Sequence, residues 1–238
     1  MFHTTTLQRP DGALIADECG EGPQALLLHA GGERRQVWHP IMTTMAQLGV
    51  HSIAFDQRGH GESAGSRGDP VAAFGADTVA MIERSNMPVV VGASLGGFAA
   101  MLALREADTQ ARVAGLVLVD VVADPNPDRV RPFLRQSGMT PEDSPLVEEI
   151  LRQGALFRES ASRLDLPVLL IRAGRWSPLD DDVVDRFSRL VPHLAVTTIA
   201  GAGHLIARDA PFALATALIA FISAEPGCRP RRARSANP

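Results

Sequence analysis

With 238 residues, 45% hydrophobic and 21% charged, the chain can build one buried core, or one core and a small insertion, and lacks the composition of a disordered protein. A net charge of −4 argues against a nucleic-acid-binding body. Two cysteines near opposite ends, Cys19 and Cys228, suggest neither a disulfide framework nor a metal site, and no apolar run approaches the roughly 20 residues of a membrane span.

Residues 4–8 and 13–17 flank Pro10-Asp11-Gly12 and read as an antiparallel hairpin. Apolar runs then alternate with helix-length amphipathic segments. A strand over 26–29 precedes a helix over 38–48, and a strand over 51–55 precedes a helix over 71–84. Val89-Val90-Val91 runs through Gly92-Ala93-Ser94-Leu95-Gly96 into a helical pattern over 98–105. Strand 113–119 follows, then strand 167–171 with a helix over 182–190, and strand 195–199 with a helix over 211–222. Continuous Val/Ile/Leu runs are buried on both faces, and their alternation with helices predicts an α/β fold: a mostly parallel sheet with helices on both sides and the hairpin at its edge.

Residues 124–163 break this rhythm with a charged, helical stretch longer than an ordinary crossover. Phe133, Leu134, Leu146, Ile150, Leu151, Leu156 and Phe157 give it an apolar face, and we read it as a small helical lid over the carboxyl edge of the sheet, with a packed surface excursion as the alternative. The expected organisation is one domain over 1–227 carrying that insertion. Residues 228–238, proline-containing and basic, are expected to form a disordered tail. The first ten residues lack a basic segment followed by an apolar stretch, so no signal peptide is expected and the predicted location is cytoplasmic, with reduced thiols.

The strand, the Gly-x-Ser-x-Gly turn and the helix around Ser94 have the form of a nucleophile elbow. There a serine on a sharp turn is held clear of the backbone, at the start of a helix whose free N–H groups face a developing oxyanion. A serine hydroxyl needs a base, and the base needs an orienting group. Of seven histidines, only His204, in Gly201-Ala202-Gly203-His204, follows a late strand and precedes a closing helix, after the serine in chain order. His29-Ala30-Gly31-Gly32 closes another strand, and this small-residue turn can offer an amide to a substrate carbonyl, with the Leu95 amide as its partner. His29 reads as a turn organiser, and Asp56, Arg58 and His60, in the glycine turn 56–63, read as loop scaffolding.

Together these motifs resemble the α/β-hydrolase superfamily, over nearly the whole chain. The resemblance implies a Ser–His–acid triad with Ser94 as nucleophile and His204 as base, Gly31 and Leu95 as oxyanion amides, and no cofactor or metal. A serine at the elbow disfavours the dehalogenases and epoxide hydrolases of this fold, which use aspartate there. Family members usually carry the acid just beyond the strand matching 167–171, in a pattern like R-x-G-x-x-D. This chain has Arg172-Ala173-Gly174-Arg175-Trp176-Ser177, with serine at that place. Asp120, ending the strand 113–119, is the preferred replacement, since some members supply the acid from that strand and an aspartate ending an apolar strand needs a partner. Asp180, Asp181 and Asp182 are the alternative, although they resemble a helix N-terminus. A triad lacking its acid is the remaining option.

The expected function is hydrolysis of a carboxylic ester or lactone through an acyl-enzyme, in a pocket of lid residues with Trp38 or Trp176. The expected partner is a small-molecule substrate, without nucleic acid or membrane, and the sequence leaves the oligomeric state open. Two rivals are other acyl or carbon–carbon bond hydrolysis or perhydrolysis on the same triad, and a non-enzymatic small-molecule binder of the same fold.

Overall fold

The computed structural model describes residues 1–136 and 145–224. Their strands are β1 (His3–Leu7), β2 (Leu14–Cys19), β3 (Gln24–Leu28), β4 (His51–Phe55), β5 (Val89–Ala93), β6 (Gly115–Val119), β7 (Val168–Ala173) and β8 (Leu194–Ile199). The helices are α1 (His39–Gln47), α2 (Val71–Arg84), α3 (Leu95–Ala103), α4 (Ala107–Gln110), α5 (Pro127–Gln136), α6 (Pro145–Arg152), α7 (Gly154–Ser162), α8 (Asp181–Leu190), α9 (Ile206–Asp209) and α10 (Pro211–Ala224). A 3-10 turn, Arg35–Trp38, leads into α1. The strands form one sheet in the order β1-β2-β4-β3-β5-β6-β7-β8. β2 pairs antiparallel with β1 and β4, while every pairing from β4 across to β8 is parallel. This is the α/β architecture expected from the sequence.

Period-two alternation along the buried strands sends their side chains to opposite faces. Leu26, Leu28, Val90, Leu116, Leu118 and Leu170 enter one apolar layer with Phe74, Phe98, Phe157 and Phe187 of α2, α3, α7 and α8. Leu27, Val89, Val91, Val117, Val119 and Ile171 enter the other with Ile41 and Met45 of α1 and Leu214 and Leu218 of α10. Trp38, fully buried, belongs to this second layer and lines no part of the cavity described below, so of the two tryptophans considered for the pocket only Trp176 reaches it.

The segment between β6 and β7 is not uniform. On α7, Phe157 is buried, its ring 4.6 Å from that of Phe98 in α3, and Ala161 joins the same layer. Leu146, Ile150 and Leu151 of α6 are buried as well. α5 has no buried residue and is held by ion pairs, Arg131–Glu148 at 2.9 Å and Arg129–Asp180 at 2.6 Å. Part of the expected lid, residues 137–144, and the expected tail at 228–238, with Cys228, lie outside the described residues. Cys19 is buried and unbridged. Among the described residues no helix is long and apolar enough to cross a membrane.

Candidate active site

The carboxyl ends of β3, β5 and β6 and the turns after β7 and β8 meet at one cavity of about 1080 Å³. Its wall includes Gly31, Ser94, Leu95, Asp120 and His204, five residues drawn from four separate turns. Apolar side chains of α5 and α6 line the cavity as well, among them Val130, Phe133, Leu146 and Ile150.

Ser94 stands between β5 and α3 at φ 46° and ψ −110°, a backbone conformation costly for any residue with a Cβ. The turn closes so tightly that a Cβ on Gly92 would lie 2.5 Å from the Gly96 carbonyl oxygen, and one on Gly96 would lie 2.4 Å from that of Leu28. Glycine at both positions is therefore a steric requirement. The Ser94 carbonyl accepts the Gly97 and Phe98 amides at 2.9 and 3.2 Å, which starts α3. Among the described residues neither the Leu95 nor the Gly31 amide donates to a protein acceptor, and a Cβ on Gly31 would come within 3.8 Å of Leu95 Cδ2. The two residues with these free amides thus adjoin each other at the elbow. The Ser94 hydroxyl makes no hydrogen bond among the described residues.

The turn that presents Gly31 is held by two buried histidines. His29 donates from Nδ1 to the Ala30 carbonyl at 2.8 Å and accepts the Gln57 amide on Nε2 at 3.0 Å. His60 donates from Nδ1 to the Arg58 carbonyl at 2.9 Å and accepts the Gly32 amide on Nε2 at 3.1 Å. An amide donor on one nitrogen and a carbonyl acceptor on the other require a neutral ring. Burial holds the His29 pKa down at about 4 and lowers that of His60. Glu33 completes the turn by accepting the Ala30 amide at 3.3 Å, and burial raises its carboxyl pKa against the opposing pull of that hydrogen bond and of Arg208. Asp56 and Arg58 lie in buried ion-pair networks, with Arg35 and with Asp69 and Asp77 respectively, and line no part of the cavity.

His204 differs from both. Its Nδ1 donates to Asp120 Oδ2 at 2.8 Å, which places the proton on Nδ1 and leaves Nε2 with a lone pair in the neutral ring. Phe133 of α5 meets the imidazole edge-on, with ring centroids 5.1 Å apart. Asp120 follows β6 at φ 52°, fully buried, and its amide continues the ladder to the Ile171 carbonyl at 2.8 Å. Its carboxylate accepts three donors: His204, the Ala173 amide at 2.8 Å, and the Ser177 hydroxyl at 2.8 and 2.9 Å from its two oxygens. Ser177 Oγ in turn accepts the Leu179 amide at 3.0 Å.

Of the acids weighed from the sequence, the structure brings Asp120 to His204 and leaves the others away from it. Asp180 caps α8 by accepting the Val183 amide at 2.8 Å, Asp181 pairs with Arg172 at 2.8 Å, and Asp182 is exposed on the first turn of α8. Ser177 was visible in the sequence only as a missing aspartate. The signal that it serves Asp120 lay in that same position, since a hydroxyl can donate to a carboxylate that has moved next to it. Phe133 was expected as lid packing, and nothing in its own segment indicated contact with His204.

A family model described as "Serine aminopeptidase, S33" matches residues 23–142, half of the chain, and the chain belongs to this family of α/β hydrolases. The chain is 36% identical over 116 residues to a Variovorax paradoxus (strain S110) protein named as a carbamate hydrolase, RutD, covering 46% of this chain and 42% of that protein. It is 27% identical over 159 residues to a Caenorhabditis elegans protein named as protein phosphatase methylesterase 1, covering 62% of this chain and 44% of that protein. The chain therefore spans less than half the length of either relative. Among solved structures, E-2-(acetamidomethylene)succinate hydrolase superposes with a TM-score of 0.77 at 20% identity, covering 94% of this chain and all of that one, a likeness of fold.

Proposed function

We propose that this α/β hydrolase cleaves a carboxylic ester or lactone through a Ser94 acyl-enzyme. The observation that carries the proposal is the 2.8 Å bond from His204 Nδ1 to buried Asp120, on the wall of the cavity that also holds Ser94. With Nδ1 engaged, Nε2 takes the Ser94 proton as the hydroxyl attacks the carbonyl, and Asp120 stabilises the imidazolium that forms. The Gly31 and Leu95 amides receive the negative charge that gathers on the carbonyl oxygen. His204 then protonates the departing alkoxide, and water attacks the acyl-enzyme by the same route in reverse. No metal or cofactor enters these steps. α5 and α6 act as the lid in this reading, covering the reacting atoms with an apolar roof that lowers the local dielectric. The methylesterase name of one relative agrees with ester chemistry, and the carbamate hydrolase name of the other is the reason to include amide-like acyl groups in any screen.

A fluorophosphonate probe followed by 4-nitrophenyl esters of increasing chain length and a lactone panel tests the proposal. Rapid labelling of Ser94 with turnover of at least one ester or lactone is expected. Slow labelling no faster than for Ser94→Ala, with no turnover of any member, would leave the fold as a small-molecule binder.

A further inference from the structure

The charge of the cavity runs against that of the chain. The chain carries a net charge of −4, yet three arginines line the cavity, Arg67, Arg175 and Arg208, against two aspartates. Both aspartates are occupied. Asp120 holds His204, while Asp209 accepts the Gly203 amide at 3.1 Å and pairs with Arg208 at 3.3 Å. Arg67 and Arg175 have no carboxylate within ion-pairing distance among the described residues. Both are exposed, whereas the buried arginines of the neighbouring loops are paired: Arg35 meets Asp17, Asp56 and Glu62, and Arg58 meets Asp69 and Asp77.

The two residues without a carboxylate partner reach the cavity wall from different loops. Arg67 donates from Nε to the Gly59 carbonyl at 3.2 Å, beside His60, whose ring holds the Gly32 amide of the oxyanion turn. Arg175 lies in the turn after β7. Its amide donates to the Ala202 carbonyl at 3.0 Å, and the Trp176 carbonyl next to it accepts the His204 amide at 3.2 Å. Arg67 therefore belongs to the oxyanion side of the cavity and Arg175 to the His204 side. A guanidinium presents a planar fork that matches the two oxygens of a carboxylate, and an apolar wall beside it strengthens the attraction.

Resting on the ester and lactone reading above, we propose that the natural substrate is an anion, an ester or lactone that also carries a free carboxylate, met by Arg67 or by Arg175 according to whether that carboxylate lies on the acyl or the leaving side. The local positive potential draws such a substrate from solution and orients it along the cavity. The hydrolytic steps are unchanged, since the second carboxylate is bound and not transformed.

Two matched pairs test this. Mono-4-nitrophenyl glutarate against 4-nitrophenyl pentanoate places the charge on the acyl side, and 4-acetoxybenzoate against 4-acetoxybenzamide places it on the leaving side. In at least one pair the charged member should have the higher kcat/KM by about ten- to a hundredfold, the scale of one charge-assisted hydrogen-bonded pair. That ratio should fall towards one in the Arg67→Gln/Arg175→Gln double variant. A ratio near or below one in both pairs overturns the proposal and leaves ester hydrolysis standing. A preference that survives the double substitution overturns the assignment to these arginines. If no ester of either kind is turned over, the hydrolytic reading fails separately. Calorimetry of monomethyl glutarate against methyl pentanoate on Ser94→Ala then decides the binding question alone. Tighter binding of the anion, lost with both arginines replaced, supports the proposal, and equal or absent binding refutes it.

Discussion

Two histidines, His60 and His204, line the cavity and a third, His29, is buried behind the turn that presents Gly31, and the contrast between His29 and His60 on one side and His204 on the other shows what, on the proposed mechanism, separates a scaffold imidazole from a working one. The first two are buried and spend both ring nitrogens on backbone groups, so their tautomers are locked and their neutral form is enforced. His204 is half-buried, spends only Nδ1, and spends it on a carboxylate. A ring with both nitrogens committed cannot shuttle a proton. A ring with one nitrogen anchored to a negative charge can, because its protonated form has a counter-ion already in place.

The largest expected effect lies on the His204 side. Ser94→Ala and His204→Gln should lower kcat by on the order of 10⁴ to 10⁶, and Asp120→Asn by on the order of 10⁴, with far-ultraviolet circular dichroism unchanged. Near-wild-type kcat in Asp120→Asn, measured on any ester the enzyme turns over, would break the contrast at its centre.

On the other side the expected effect is on stability. Burial holds His29 down at about 4, whereas the unfolded ring takes up its proton near 6.5. Between those values the unfolded state binds the extra proton, so stability is full above about 6.5 and falls as the pH drops towards 4, by about 3 kcal/mol for His29 alone. His60 adds in the same direction. Urea unfolding at pH 7 and at pH 4.5 should show the loss, and His29→Asn should flatten it. An equally steep loss in the variant would show that the burial of His29 is not the cause.

A smaller effect sharpens the role of the acid. Ser177→Ala removes one of three donors to Asp120 and should lower kcat by about tenfold, with Ser177→Thr restoring most of it. No change in kcat would reduce the hydroxyl to a turn-forming group for Leu179. The smallest effect belongs to α8: Asp180→Asn, Asp181→Asn and Asp182→Asn should each cost at most about 0.3–1 kcal/mol of stability and leave kcat alone. Loss of activity in any of them would return the acid to that helix.

The legibility of the site follows the sequence distance over which each part is built. The elbow was readable because its constraint is local: Gly92 and Gly96 sit two residues either side of Ser94, and close approach forces both. The alternation of strands and helices was readable for the same reason, since periodicity is a property of short windows. The one-turn helices at Arg35–Trp38, α4 and α9 were not, because a single turn carries no period to detect. The acid could only be narrowed to candidates. Asp120 and His204 are 84 residues apart, and their meeting depends on β6, β7 and β8 lying side by side in register. The non-uniformity of the segment after β6 was hidden similarly. α7 and α5 are both amphipathic in sequence, and only the packing against α3 draws α7 into the core.

Of the four non-glycine residues with positive φ among those described, three, Ser94, Asp120 and Trp176, line the cavity. Such a conformation costs on the order of 1–3 kcal/mol when a Cβ is present. Ser94, whose hydroxyl is tied to nothing in the resting fold, holds that free energy without local compensation. Ser94→Gly would release it, so a variant that the proposed mechanism makes inactive would also be a more stable one. A lineage in which the hydrolysis ceased to matter would drift towards glycine at 94 before it lost the fold, and persistence of serine there in related chains would mark continued selection for turnover.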